Sequence, residues 1–77
     1  MKIYAHLFDT DGGHWKLFQV ETMDEAIQFA LHEIRRTEHL IGRDDLFVEL
    51  AVPGVDHDEL PRHYFNKSET KQHEYTN

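Results

Sequence analysis

Seven histidines and no cysteine among 77 residues mean that any metal site would have to be built from imidazole and carboxylate. Their spacing suits this poorly. On one helix His32 and His39 would share a face, but two turns hold them roughly 10 Å apart along the axis, too far for ligands at ~2 Å from a single ion. His6 and His14 lie on the two arms of a glycine hairpin and are expected to point to opposite faces. Only Asp56, His57, Asp58 and Glu59, with His63, bring nitrogen and oxygen donors together, and they match no specific ligand spacing. No metal or cofactor is assigned, and a metal-responsive role for His57 and His63 is one alternative. Nucleophilic catalysis has even less to work with. Ser68 is the only serine, it falls in a polar C-terminal stretch, and the pairing of a serine or cysteine with a histidine lacks a first member. Asp11-Gly12-Gly13 is not a phosphate loop, because neither a lysine nor a helix start follows it. The chain reads as a non-enzyme.

The elements that position these residues begin with Lys2–Glu21, a β-hairpin with strands Lys2–Asp9 and His14–Glu21. Its turn, Asp9-Thr10-Asp11-Gly12-Gly13, has the Asp-Gly and Gly-Gly pairs that supply positive φ angles. Centred on Asp11-Gly12 or on Gly12-Gly13, the turn gives the same parity. Ile3, Ala5, Leu7, Phe18 and Val20 share one face; Tyr4, His6, Phe8, Trp15 and Leu17 share the other. Both faces are apolar, and one helix can cover only one of them.

At Thr22 the period changes. Thr22-Met23-Asp24-Glu25 is a capping box, with the threonine hydroxyl accepting from the Glu25 amide and the glutamate reaching back to the Thr22 amide. Asp24 and Glu25 suit the positive end of the helix dipole and are structural. Met23, Ala26, Ile27, Ala30, Leu31 and Ile34 form one stripe of a helix running to about His39, and that stripe covers the first hairpin face. Phe29 lies about 130° from the stripe's centre, an exposed or edge aromatic. Gly42 closes the helix in Ile41-Gly42-Arg43-Asp44-Asp45. In a third strand, Leu46–Val52, Leu46, Val48, Leu50 and Val52 face the helix, while Phe47, Glu49 and Ala51 face away. A right-handed strand–helix–strand connection runs strand three parallel to strand two, with strand one between them. Pro53-Gly54 ends the strand. Beyond it Val55–Asn77 is polar, with Val55, Leu60, Tyr64, Phe65 and Tyr75 as its sizeable apolar anchors, and its last twelve residues are expected to be mobile. Leu60, Tyr64 and Phe65 folding back over the second sheet face, or another chain covering it, are the two ways to close that face.

A chain of 77 residues makes one domain that buries about 60% of the surface its unfolded form exposes. Lack of cysteine points to a reducing compartment, and no stretch reads as a signal peptide or a membrane span, so a cytoplasmic place is expected, with no membrane partner. The Asn66-Lys67-Ser68 sequon is then incidental. The net charge of −7 argues against direct binding of nucleic acid, which works by neutralising phosphates.

The run Phe8-Asp9-Thr10-Asp11-Gly12-Gly13-His14-Trp15, followed by Thr22-Met23-Asp24-Glu25-Ala26, resembles the start of HicB-type antitoxins, where an Asp- and Gly-bearing hairpin precedes a helix opening in a Thr-x-x-Glu-Ala manner. That family has a further strand before the helix and often a DNA-binding element after the domain, and neither is read here. By size and charge the chain also resembles the small inhibitor proteins of phages and other mobile elements, anti-CRISPR and antirestriction proteins among them. That resemblance implies stoichiometric binding to a protein.

The expected architecture is an α+β single-layer ββαβ domain over residues 1–54, a three-stranded sheet of order 2-1-3 with one helix on one face, followed by a polar tail over 55–77, partly mobile. The expected function is a non-enzymatic protein-binding module, an inhibitor or adaptor, that dimerises or docks on a protein partner. Its contacts are Tyr4, Phe8, Trp15, Leu17 and Phe47, with Phe29, Asp44 and Asp45 as further contact residues. The alternative is an acidic mimic of nucleic acid using Asp44, Asp45, Asp56, Asp58 and Glu59 against a basic groove.

Overall fold

A computed structural model describes residues 2–71. The strands β1 (Ile3–Asp9) and β2 (His14–Val20) form the hairpin, α1 (Met23–Arg35) crosses over, and β3 (Leu46–Ala51) returns beside β1. A 3₁₀ turn at His57–Glu59 leads to β4 (Arg62–Tyr64) and a one-turn helix, α2 (Lys67–Thr70). The fold is α+β, with one main helix on an antiparallel sheet. The sheet has four strands, in the order β2-β1-β3-β4, where three were expected. The central position of β1, antiparallel to both neighbours, is as the sequence predicts.

The helix stripe packs as its spacing requires. Ala26, Ala30 and Ile34 are fully buried against Ala5, Leu7, Val20, Leu46, Val48 and Leu50, and Met23, Ile27 and Leu31 flank them. At the N-cap, Thr22 Oγ1 accepts from the Glu25 amide at 3.1 Å, but the Glu25 carboxylate returns to the amide of Glu21, not to that of Thr22. The helix ends at Arg35, a turn short of His39, and the chain continues in tight turns at Thr37 and Leu40. Ending early lets Leu40 swing into the core, where it is fully buried. Continued helix would have held it on the solvent side. His39 thus never shares a helix face with His32.

The stretch after Pro53 is the largest departure from expectation. It neither lies loose nor folds over the second sheet face: β4 extends the sheet beside β3, pairing Phe47 with Tyr64, Val48 with His63 and Glu49 with Arg62. Phe65, one residue past β4, drops into the helix-side core at 2% exposure, its amide donating to the Leu46 carbonyl at 2.9 Å. Residues 66–70, expected to be mobile, are docked. Asn66 and Glu69 cap α2 reciprocally, the buried Thr70 hydroxyl donates to the Arg43 carbonyl at 2.7 Å, and the Gly42 amide, at a φ of 80°, donates to the Thr70 carbonyl. The rest of that expectation, including Tyr75, falls on residues 72–77, outside the described residues.

Candidate protein-binding face

The face of the sheet opposite α1 stays open, and pairing across four strands arranges it in rows. One row runs Gln19–Tyr4–Ala51, a second Leu17–His6–Glu49–Arg62, and a third His14–Phe8–Phe47–Tyr64. The third row is continuous aromatic surface, with ring centroids 5.3, 5.4 and 5.0 Å apart from His14 through Phe8 and Phe47 to Tyr64. These are favourable stacking distances, each pair worth about 0.5–1.5 kcal/mol beyond simple burial. His6 stacks on Phe8 at 5.4 Å, nearly parallel. Tyr4, Leu17 and Tyr64 are among the large apolar side chains left exposed, and Phe8 and Phe47 are half-buried by one another.

Tyr4, Phe8, Leu17 and Phe47 thus come together as the parity predicts, and Trp15 does not. Asp9 and Gly13 close a three-residue loop of Thr10-Asp11-Gly12, in which Gly12 takes the positive φ of 92°, and the register slips at Leu7/Phe8 so that Phe8 pairs with His14. The slip corrects two expectations. His14 joins His6 on the open face, ring centroids 5.2 Å apart, where opposite faces were expected. Trp15 is turned out to the hairpin end: its Nε1 donates to Asp9 Oδ2 at 3.0 Å, and the Arg43 guanidinium lies 5.6 Å over its ring.

Asp9 organises that end. Its Oδ1 accepts from the amides of Asp11 and Gly13 at 2.9 and 2.8 Å, and a Cβ at position 13 would collide with the carboxylate, so the second glycine is required for close approach. The Gly13 amide above all, with the Trp15 indole, the Asp11 amide and Arg43, holds the Asp9 carboxyl below the ordinary aspartate range. Asp45 is likewise lowered by its bidentate pairing with Arg43, whose Nε lies 2.8 Å from it. Of the five acidic residues read as mimics of phosphate, Asp45 is therefore locally neutralised, while Asp44, Asp56, Asp58 and Glu59 are exposed.

Glu49 is the one carboxylate in the second row and is buried to 7% exposure. β4 supplies its counter-charge: Arg62 Nε donates to it at 2.6 Å, and the same guanidinium donates to the His57 carbonyl at 3.2 Å, tying the 3₁₀ turn to the sheet. Between that turn and the hairpin loop lies an open groove of about 270 Å³ floored by Phe8, Phe47, Glu49 and Arg62. It continues the aromatic row into a charged end. His57 lines this groove, whereas His63, paired with Val48 on the helix side, contacts Glu69 at 3.3 Å and stacks edge-on against Phe65. Among the described residues no three side chains of His, Asp or Glu converge on a point that would hold a metal ion.

Burial pushes the His6 imidazole below its ordinary value, the neighbouring His14 adds to the effect, and Glu49 opposes it. A depressed histidine binds fewer protons in the folded chain than in the unfolded one, so folding loses stability as pH falls through the ordinary value of 6.5 toward the folded value. Urea unfolding at pH 7.5 and 5.5 should show wild type losing more stability on acidification than His6→Gln, and an equal loss in both would contradict this placement of His6.

Phe29 sits apart from this face, on α1, its ring tilted against that of Phe18 with centroids 5.9 Å apart. No helix among the described residues is long and apolar enough to cross a membrane. No family model, no curated protein and no solved structure matches the chain.

Proposed function

We propose that the chain is a non-enzymatic protein-binding module, an inhibitor or adaptor, whose contact surface is the open sheet face around Tyr4, Phe8, Leu17, Phe47 and Tyr64. The observation that carries the reading is the aromatic row from His14 to Tyr64, which crosses all four strands and is covered by nothing among the described residues. Aromatic side chains held by their neighbours lose little freedom on contact and are the usual anchors of interfaces. The groove at Glu49 and Arg62 gives such a contact polar register at one end. The absence of cysteine suits a reducing compartment. A second copy of the chain or a different protein would each fit the surface, and they differ in what sedimentation reads.

Charge on the face tests the reading without touching the core. Leu17→Lys with Tyr64→Lys should cost no more than about 1.5 kcal/mol of unfolding free energy, most of it the stacking of Tyr64 on Phe47. The same change should abolish self-association in sedimentation, or co-purification of the partner. A double variant that associates like wild type would remove this face from consideration.

A further inference from the structure

We propose that the cleft between the outer edge of β2 and α1 takes up an extended, acidic segment of another protein, which adds to β2 as a fifth strand. This cleft lies on the helix side, away from the open aromatic face, and the inference stands or falls independently of that face. β2 is an edge strand of seven residues with no strand on its outer side among the described residues. At about 3.3 Å per residue it offers a backbone template roughly 23 Å long. Its outward amides and carbonyls await a partner, and a peptide strand laid beside a sheet edge satisfies them.

Side chains beside this edge form a built cleft of about 620 Å³. Lys16 and Phe18 of β2 point to the helix side, being paired with Leu7 and Ala5, and Phe29, His32, Glu33 and Arg36 of α1 make the opposite wall. Phe18 and Phe29 both line it with their rings in tilted contact, and Phe29 is still 43% exposed, so one large apolar side chain of an incoming strand has a place to bury.

Charge decides the kind of strand. Arg43 and Arg62 are engaged with carboxylates and Arg35 with the Glu69 carbonyl, whereas Lys16 and Arg36 lie within ion-pair distance of no carboxylate among the described residues. The carboxylate of Glu33 accepts from the Thr37 hydroxyl. The cleft thus carries two unpaired cations and a histidine against one carboxylate, on a chain whose net charge is −7. An acidic segment is attracted there and a basic one is not. A second copy paired through this edge would set its own Lys16 along it, adding a cation where the cleft already has two.

Panning a random dodecapeptide library on the immobilised full-length chain tests the proposal. Enriched sequences should be rich in Asp and Glu around one aromatic or large aliphatic residue. Their affinity should fall about tenfold or more in Lys16→Glu, in Arg36→Glu and in Phe29→Asp, and on N-methylation of alternate peptide amides, while Tyr64→Lys leaves it unchanged. Lys16 and Arg36 are exposed, so their variants read the cleft even if Phe29→Asp were to unfold. The proposal is overturned by a library without enrichment over an unrelated control protein, or by peptides that bind the Lys16 and Arg36 variants like wild type. Peptides indifferent to N-methylation, or a wild-type dimer that Lys16→Glu dissociates, would overturn it as well.

Discussion

Phe65→Ala should destabilise the chain by about 3–5 kcal/mol, the usual cost of deleting a buried large aromatic, against a total of only about 4–12 kcal/mol for a domain of this length. Phe65 is 2% exposed, is enclosed on the helix side of the sheet, and anchors the strand that supplies Arg62 to Glu49. Its neighbour is the internal control. Tyr64 points to the opposite face at 59% exposure, so Tyr64→Ala loses the stacking on Phe47 and little else, about 0.5–1.5 kcal/mol. Chemical unfolding of the two variants beside wild type checks the parity of β4 directly. Equal losses would mean that the chain after Pro53 is not seated as described. Truncation after Gly54 should be at least as damaging as Phe65→Ala, since it removes Phe65 itself together with the β4 pairing and the Arg62–Glu49 bridge.

Asp9→Ala should destabilise the chain by about 1–3 kcal/mol, the usual cost of leaving donors without their acceptor. It removes the acceptor of two turn amides and of the Trp15 indole together. Asp9→Asn, which retains an oxygen for the amides and loses the charge facing Arg43, should fall between alanine and wild type. The pH dependence follows from the lowered carboxyl. A carboxyl depressed in the folded state contributes stability at pH values above its ordinary 3.8 and loses it as pH falls through the folded value. The gap between wild type and Asp9→Asn should therefore close on acidification below that point, with Trp15 fluorescence reporting the turn. A gap that persists unchanged at low pH would contradict the assignment of the charge.

Much of this arrangement is written in local pattern. The 3.6-residue stripe from Met23 to Ile34 and the alternation in Leu46–Ala51 each present a face too apolar for water, and together they set the helix, the strand order and the open face. What local pattern misses has physical reasons. The bulge that exchanges Trp15 for His14 arises because Asp9 captures the amides of the turn, making a three-residue loop where Asp-Gly and Gly-Gly both read as two-residue turns. β4 is three residues long, follows a proline and is mostly polar, which is how a short edge strand avoids unwanted pairing and also how it escapes notice. A signal for it was present: Glu49, mid-strand between apolar neighbours, needs a cation, and Arg62 lies on the one segment free to bring it. The core position of Leu40 is hidden in the sequence because the helical pattern reads on to about His39, whereas the helix stops at Arg35.

The central claim, that the sheet face opposite α1 is where a protein docks, is tested most directly by site-specific photo-crosslinking in the cells that make this chain. A benzophenone side chain placed at Tyr64 or at Leu17 should give one discrete adduct, the same at both positions, its mass reading either a second copy of this chain or one other protein. The same group placed at Glu38, exposed just beyond α1, should give none. No adduct from Tyr64 and Leu17, or the same adducts from Glu38, would contradict the claim.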